Sequence, residues 1–348
     1  MQSFNREGSA MKMHVIVVLL LALGVAATSD AQIVKKAQVG FRFLENPISA
    51  DAIGRGGIGV AVPMGSNGVF WNPALLGWMS ATVEGSLHHT EGIADINYNA
   101  ASGAVRFGDF GVVGVSLLMM DYGKFRGTRV APFDPWYVET GTFTPFAYSL
   151  GLAFSQRVSE RFSYGVHVKL VDQYLGRPFV APPGASITDP NLPIRRKKYE
   201  HWELAADVGA LYDFHYNGIR FGACLQNISR EVKYEEYSFP LPFAVSFGAT
   251  IEPLLFFLEP DANQVFILSF ESRHPRDYRE KLKFGGEFWY MQLVALRLGY
   301  MSHYDEQGFT AGLGIHHNLG DVPLTFDYAY QPFGVFGAVH HFTIGASY

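Results

Sequence analysis

Three adjacent histidine pairs are the first residues of this sequence whose type suggests chemistry, because imidazole is a common metal ligand. The pairs are His88-His89, His316-His317 and His340-His341. Neighbouring side chains on a strand point to opposite faces, so two adjacent rings cannot bind one ion together. No acidic residue stands beside the pairs at the spacing of a metal ligand. We therefore predict no metal site and interpret the histidines as polar residues at strand ends, near a membrane interface.

A glycine-rich run offers a second kind of chemistry. Gly54, Gly56 and Gly59 match G-x-G-x-x-G, the phosphate-binding pattern of dinucleotide folds. That pattern binds pyrophosphate only between a strand and the N-terminus of a helix. Here it follows a predicted loop and runs into Val60-Ala61-Val62-Pro63, which does not begin a helix. We predict no nucleotide and no other cofactor.

Patterns typical of enzymes are missing. The sequence contains no G-x-S-x-G, H-E-x-x-H or P-loop pattern. A lipase built on a barrel would need a Ser/His pair braced by an amide or a carboxylate, and spacing alone assigns no such set. The lone Cys224 excludes an internal disulfide and is interpreted as an inert buried thiol. We predict that the protein is not an enzyme.

The elements that must position these residues are strands. Fourteen segments alternate between apolar residues and polar or small ones, which is the period of a strand with two different faces. They span roughly 81–89, 95–106, 110–120, 144–156, 161–172, 202–214, 218–226, 240–252, 263–271, 281–291, 294–303, 308–316, 322–330 and 339–348. An even number of strands is typical of a bacterial outer-membrane barrel.

The alternation also predicts which face meets lipid. In segment 202–214, Trp202 and Leu204 share the apolar face, and the opposite face carries charges. A soluble sandwich alternates too, but its polar face is seldom so rich in Gly and Ala. The predicted lumen charges are Lys169, Glu203, Asp207, Asp213, Lys281, Lys283, Glu287, Arg297 and Asp327.

Composition and the N-terminus indicate export. Hydrophobic residues make up 48% of the chain and charged residues only 17%. After the N-terminal apolar run, the hydrophobic residues are dispersed, and no stretch is long enough to be a spanning helix. Met11-Lys12-Met13 precedes an apolar run at 15–27 and the small-x-small site Ser29-Asp30-Ala31. We predict a signal peptide within 1–31, preceded by a short extension, and an outer-membrane location in a Gram-negative cell. The net charge of −5 argues against a nucleic-acid partner.

The connections alternate in length, as they do between the two ends of an outer-membrane barrel. The long ones, 121–143, 173–201 and 227–239, are predicted to be external, with Ala181-Pro182-Pro183-Gly184 facing outward. The short ones are predicted to be periplasmic, with 253–262 as a longer exception. The basic run at 195–198 has several open interpretations. It can contact lipopolysaccharide phosphates or an acidic partner, pair with Glu235-Glu236 in the next loop, or belong to a solvated loop without a ligand.

Several separated segments together resemble one known family. They are 52–61, Trp71-Asn72-Pro73-Ala74, Phe284 to Tyr290, Leu296 to Tyr300 and Phe326 to Gly334. These segments resemble the PorV/PorQ family, which lies within the FadL-like outer-membrane barrels. The resemblance implies an all-β, fourteen-stranded barrel at 81–348 with an N-terminal plug at 32–80 inside the lumen. The plug signature it implies is Gly54, Gly56, Gly57, Gly59, Asn72, Pro73 and Ala74.

The last predicted strand carries an unbroken apolar face. Phe342, Ile344, Ala346 and Tyr348 alternate with small or polar residues. We predict that this face meets lipid. Phe342, Ile344 and Tyr348 are predicted to act as a barrel-assembly signal.

Two functions follow as hypotheses. The family resemblance implies an interaction and delivery component of type IX-like protein secretion, which binds a translocon or cargo sorting domains through its external loops. The alternative is a FadL-like passive transporter of hydrophobic solutes, with an apolar entrance formed by Phe125, Phe133, Trp136, Tyr137 and Phe143. The charged lumen argues mildly against a continuous apolar conduit. Outer-membrane lipid and lipopolysaccharide are the expected surroundings in both cases.

Overall fold

The computed structural model describes residues 38–348, apart from 131–133, 135, 181–194, 260 and 262. The predicted signal peptide, the Ala181-Pro182-Pro183-Gly184 turn and Phe133 lie outside the described residues. Strands dominate the rest of the chain. None of the helices within the described ranges is long and apolar enough to cross a membrane.

Twenty strands occur in the described part of the chain. They are β1 (Val83–Glu91), β2 (Asn97–Arg106), β3 (Val112–Asp121), β4 (Phe125–Val130), β5 (Tyr137–Phe143), β6 (Phe146–Arg157), β7 (Phe162–Gly176), β8 (Phe179–Val180), β9 (Arg195–Arg196), β10 (Tyr199–Asp213), β11 (Arg220–Ser229), β12 (Val232–Lys233), β13 (Ser238–Phe239), β14 (Ala244–Ile251), β15 (Gln264–Pro275), β16 (Lys281–Tyr290), β17 (Val294–Ser302), β18 (Phe309–Leu319), β19 (Val322–Pro332) and β20 (Ala338–Ser347).

Fourteen of these strands form one closed antiparallel barrel, in the order β1-β2-β3-β6-β7-β10-β11-β14-β15-β16-β17-β18-β19-β20. The predicted barrel and its strand count are therefore confirmed. The other six strands pair as three hairpins, β4 with β5, β8 with β9 and β12 with β13. These hairpins lie within the three long connections, which the sequence patterns had left without regular structure.

The barrel closes between its first and last strands. β20 pairs with β1 from Glu84 and Ser347 onward. Beyond this ladder, the amide groups of Thr82 and Val83 donate to the carbonyl oxygen of Tyr348 at 2.7 and 2.9 Å, and the Tyr348 amide donates to Val83 at 2.8 Å. Closure gives the backbone groups of the two end strands hydrogen-bond partners, which strands in lipid require.

The alternation of side chains follows the strand period around the barrel. On β17, Leu296 and Leu298 are exposed on the outer face, whereas Ala295 and Arg297 are buried inside. On β10, Trp202 and Leu204 are exposed and Asp207 is buried. The outer face is apolar and the inner face is polar or small, so the wall separates lipid from a polar interior.

The segment before β1 is built from short helices. The α-helix α1 (Ala50–Gly54) is accompanied by 3₁₀ turns at Arg42–Glu45, Gly65–Phe70 and Pro73–Trp78. Further 3₁₀ turns in the described residues are Ile93–Asp95, Gly108–Phe110, Pro253–Phe256 and Gly334–Phe336. The expectation that the glycine-rich run follows a loop was wrong, because Gly54 ends α1. Residues 59–64 form no helix, and only the short 3₁₀ turn Gly65–Phe70 follows them directly, so the argument against a pyrophosphate site is unchanged.

Candidate functional site

The interior of the barrel is occupied by residues 38–82, which we call the N-terminal segment. Its helices contact ten of the fourteen barrel strands, which are β1, β2, β3, β6, β7, β10, β17, β18, β19 and β20. Most of its apolar side chains are fully buried, among them Phe41, Ile53, Ile58 and Leu75. The candidate site is therefore defined by how this segment meets the inner wall.

Glycines let the two backbones approach each other. Gly56 and Gly57 adopt φ values of 83° and 68°, which turn the chain sharply after α1. Gly56 lies against Gly299 of β17, where an added Cβ would collide with the backbone of Arg55 and Gly56. Gly54 in the same way contacts Gly312 of β18. Side chains at these contacts would push the segment away from the wall.

Asn72 ties the N-terminal segment to β10. Its side-chain oxygen accepts from the Ala74 amide at 3.0 Å and so caps the turn Pro73–Trp78. Its amide nitrogen donates to the carbonyl groups of Val60 at 2.8 Å and Ala210 at 3.1 Å. One buried side chain thereby satisfies three backbone groups, two in the segment and one in the wall.

Pro73 and Ala74 continue this contact. They lie against Gly165 of β7, where a Cβ would meet their backbone. The Ala74 carbonyl accepts from the hydroxyl groups of Ser155 at 3.2 Å and Ser163 at 2.9 Å. The Gly57 carbonyl and the Gly59 amide also bond wall residues, so all seven predicted signature residues lie in contacts between the segment and the inner wall.

A first charge cluster holds α1 against β16, β17 and β19. Arg55 donates to Glu287 at 2.5 Å and to Asp51 at 3.3 Å. Arg297 pairs with Glu287 and donates to Asp327 at 2.6 Å. All five side chains are nearly inaccessible to solvent, so removing one partner would leave a buried charge uncompensated.

A second cluster holds the backbone that follows α1. Lys283 donates to Glu271 at 2.8 Å and to the Gly57 carbonyl at 2.6 Å. The other carboxylate oxygen of Glu271 accepts from the amides of Gly59 at 3.0 Å and Val60 at 3.1 Å. The charged side chains on the strands therefore form hydrogen bonds with backbone groups of the N-terminal segment.

A third cluster lies on β3, β7 and β10. Ser116 Oγ is 2.8 Å from His167 Nε2, and His167 Nδ1 is 3.1 Å from Asp207 Oδ2. Lys169 Nζ donates to Asp207 Oδ1 at 2.8 Å and to Asn227 Oδ1 at 2.6 Å. The alternation predicted the two charged members. The contact of Ser116 with His167 was missed because spacing in the sequence pairs no serine with a histidine.

The three remaining predicted lumen charges lie nearer the strand ends. Asp213 accepts from Arg220 at 2.8 Å beside the turn between β10 and β11. Glu203 is half-buried on the inward-facing side of β10. Lys281 lies over the rings of Tyr278 and Tyr304, with its Nζ at 5.2 and 4.5 Å from their centroids. All nine predicted charges thus lie on the inner face of the wall.

The histidine interpretation needs correction. His88 and His341 are buried inside the barrel, and are not exposed at its rim. His88 Nδ1 lies 2.9 Å from Thr343 Oγ1, and His341 Nδ1 lies 2.9 Å from Thr90 Oγ1. Alternation sends one member of such a pair inward, where a threonine hydroxyl group bonds its Nδ1. Within the residues that the structure describes, no three His, Cys, Asp or Glu side chains are grouped to hold a metal ion.

A cavity of about 290 Å³ remains between the N-terminal segment and the wall. Its apolar lining comes from Leu44, Ile48, Phe70, Trp71, Leu118 and Met301. Its charged lining comes from Arg42, Glu45, Lys169, Asp207, Arg273, Lys281 and Lys283. The third cluster borders the same space through Ser116, His167 and Asp207.

The long connections carry aromatic and charged groups at the surface. Phe125 stacks on Phe143 with centroids 5.8 Å apart, and Trp136, near the other end of the same hairpin, is 66% exposed. Lys197 donates to Glu235 at 2.6 Å, as the pairing of the two loops predicts. Hydrogen bonds from Lys197 and Tyr199 hold the pKa of the Glu235 carboxyl below its usual value.

Two of the predicted assembly residues, Phe342 and Ile344, lie on β20, and Tyr348 directly follows that strand. Ile344 and Tyr348 are exposed, and Phe342 packs against Tyr328 with ring centroids 5.4 Å apart. Their role in assembly stays a prediction.

These features define a class of protein. A closed antiparallel barrel with an apolar outer face and a polar interior is the architecture of an outer-membrane β-barrel, and the outer membrane is where such a wall is stable. Within this class, the protein is a barrel of fourteen strands whose lumen contains a segment of its own chain.

The structure is similar to solved FadL-like barrels along almost their whole length. The Ralstonia pickettii toluene transporter TbuX superposes with a TM-score of 0.55 at 14% identity, covering 86% of this chain and 96% of that one. The Pseudomonas putida toluene transporter TodX gives 0.56 at 12% identity, covering 85% and 95%. A Pseudomonas aeruginosa FadL homologue gives 0.52 at 12% identity, covering 87% and 98%.

The chain therefore has the FadL-like outer-membrane barrel fold. Identities this low show the fold alone. No protein-family model matches the sequence, and no curated protein matches it. The finer resemblance to the PorV/PorQ family stays a prediction.

Proposed function

We propose that the protein is a passive transporter of hydrophobic solutes across the outer membrane. The observation that carries the proposal is the cavity of about 290 Å³ inside a FadL-like barrel, whose lining contains apolar as well as charged residues. An engineered apolar cavity of about 150 Å³ already binds benzene, so this space is large enough for a solute with one ring. The toluene transporters that share the fold support the same solute class.

In this proposal the N-terminal segment is a plug that closes the lumen. The buried ion pair of Arg55 with Glu287, the hydrogen bond from Lys283 to the Gly57 carbonyl and the Asn72 contacts fix it to the wall. A fixed plug prevents polar solutes from leaking through, while an apolar solute partitions into the cavity from the aromatic external surface around Trp136.

The test is uptake of radiolabelled toluene by cells that express the protein and lack any related channel. Leu118 is buried and lines the cavity, whereas the next residue, Met119, is 50% exposed on the outer face. Leu118→Trp fills the cavity and should reduce the initial rate to that of cells without the protein. Met119→Trp adds the same ring outside and should leave the rate unchanged. Equal uptake with and without the wild-type protein would exclude the proposal.

A second candidate, a docking component of protein secretion, is favoured by the external hairpins. β4 and β5 project stacked aromatic side chains, and β8 and β9 carry Arg195 and Arg196 on an exposed face. Such surfaces suit a translocon, a cargo sorting domain or lipopolysaccharide phosphates. Replacing Trp136 with a photocrosslinking residue in living cells tests this role, because a docking barrel yields one discrete protein adduct. Met119 offers a lipid-facing control position.

A further inference from the structure

Ser116, His167 and Asp207 have the mutual geometry of a hydrolytic triad. The serine oxygen lies 2.8 Å from Nε2 of the imidazole, and the carboxylate lies 3.1 Å from Nδ1. With its proton on Nδ1, His167 donates to Asp207 and accepts from the Ser116 hydroxyl. This is the order of contacts by which an imidazole activates a serine while a carboxylate fixes its tautomer.

The carboxylate is itself fixed by the wall. Asp207 faces a bulge on β11, where Gln226 and Asn227 both point inward opposite a single residue. Asn227 adopts a φ of 60°, and its amide donates to Asp207 Oδ1 at 2.7 Å. Lys169 donates to the same oxygen at 2.8 Å. Oδ2 is left for His167, so the ring is held in one orientation.

A glycine on the strand next to Ser116 leaves space for the contact between Ser116 and His167. Gly151 of β6 lies across from Ser116 in the ladder. A Cβ at residue 151 would clash with the His167 ring and lie 2.6 Å from Ser116 Oγ. Any larger residue there would separate the serine from the imidazole. The glycine therefore belongs to the geometry of the pair and is not only a packing residue.

The three residues open onto the interior cavity. Ser116, His167 and Asp207 all line the space of about 290 Å³, and Leu118, the next inward residue on β3, supplies an apolar surface beside the hydroxyl. Each of the three side chains is less than 5% exposed. The hydroxyl group therefore faces a space that can hold a small carboxylic ester against the apolar side chain of Leu118.

We propose that Ser116 and His167 are catalytic residues, positioned by Asp207, that hydrolyse small esters in the barrel interior. Ser116 Oγ attacks the ester carbonyl carbon while its proton passes to His167 Nε2. The tetrahedral intermediate collapses, the alcohol leaves with that proton, and an acyl-serine remains. Water then attacks the acyl carbon, gives its proton to Nε2 and releases the acid as the proton returns to Ser116.

The alternative is a purely structural role, in which these hydrogen bonds only hold β3, β7 and β10 together. Reactivity separates the two roles, because a bracing serine has no activated oxygen. Phenylmethanesulfonyl fluoride is the probe, since its single ring fits the cavity. Modification forms a bond between Ser116 Oγ and sulfur, breaks the S–F bond and releases fluoride, with the serine proton taken by His167.

The experiment is intact-mass and peptide mapping of the purified full chain in detergent, with heat-modifiable gel migration as the check of folding. The folded wild-type protein should gain one adduct, located at Ser116. Ser116→Ala should gain none, and His167→Gln should react about 10²-fold or more slowly, the usual contribution of a general base. Ser102→Ala is the matched control. Ser102 lies directly across from Ser116 on β2 and is also buried, and its replacement should leave the reaction unchanged.

Hydrolysis of p-nitrophenyl acetate tests the positioning role. Asp207→Asn should lower kcat at least tenfold with KM nearly unchanged, because the ester still binds while the imidazole loses its tautomer. A folded wild-type protein that gains no adduct, an adduct at another residue, or a His167→Gln variant that reacts at the wild-type rate overturns the proposal. If His167→Gln does not fold, the site of the wild-type adduct and the Asp207→Asn kinetics decide.

Discussion

Replacing Asn72 with alanine should release the N-terminal segment without unfolding the barrel. The change removes one helix cap, worth about 1 kcal/mol, and two donors to buried carbonyls. Each carbonyl left without a donor costs about 1 kcal/mol or more. The sum is about 3 kcal/mol, which raises the equilibrium constant for local opening by about 150-fold.

Hydrogen exchange followed by mass spectrometry measures this opening directly. Peptides that cover residues 58–78 should exchange about 150-fold faster in Asn72→Ala, since local opening governs exchange in a stable protein. Peptides from β18 should not change. The matched control is Asn99→Ala, because the Asn99 side chain bonds only the exposed His89 on the outer face. Exchange in 58–78 that rises less than fivefold would refute the assignment of Asn72 as a tie between segment and wall.

Three further perturbations test the interior and the closure of the barrel. Glu287→Gln removes the carboxylate shared by two arginines and should destabilise the protein by about 3–5 kcal/mol, seen as a lower temperature for loss of heat-modifiable migration. Gly299→Ala should displace Gly56 and speed exchange in the segment, whereas Gly286→Ala, whose Cβ meets only ordinary contacts, should not. Removing Tyr348 deletes the backbone bonds that join the ends of the barrel, so folded protein in the outer membrane should fall sharply, and normal heat-modifiable protein would contradict this.

The strands could be predicted closely because their signal is local. A barrel strand meets lipid on one side and a filled lumen on the other, so every second residue reports the same environment. The predicted segment 294–303 and the observed β17 differ by one residue at one end. The hairpins β8–β9 and β12–β13 were missed because two-residue strands contain too few residues to show a period.

For the barrel interior, the sequence predicted which side chains face inward but not which of them contact each other. Alternation correctly turned Lys169, Glu287 and Arg297 inward, yet it gave no partner for any of them. The prediction for the histidines was wrong. We assigned His88 to the membrane interface, although its position on β1 directs its side chain into the barrel. Burial of a polar ring depends on a hydroxyl such as Thr343, which lies on a strand 255 residues away in sequence.

By itself, the sequence determined the wall: a period of two, an apolar outer face and enough strands to close a barrel. Only the tertiary structure decided what the interior can do. Arg55 meets Glu287 across 232 positions, and Ser116 meets His167 across 51. Such contacts depend on strand register, on the bulge at Asn227 and on the absence of a side chain at Gly151. Register and closure are properties of the whole barrel, because each strand is placed by its neighbours around the complete circuit.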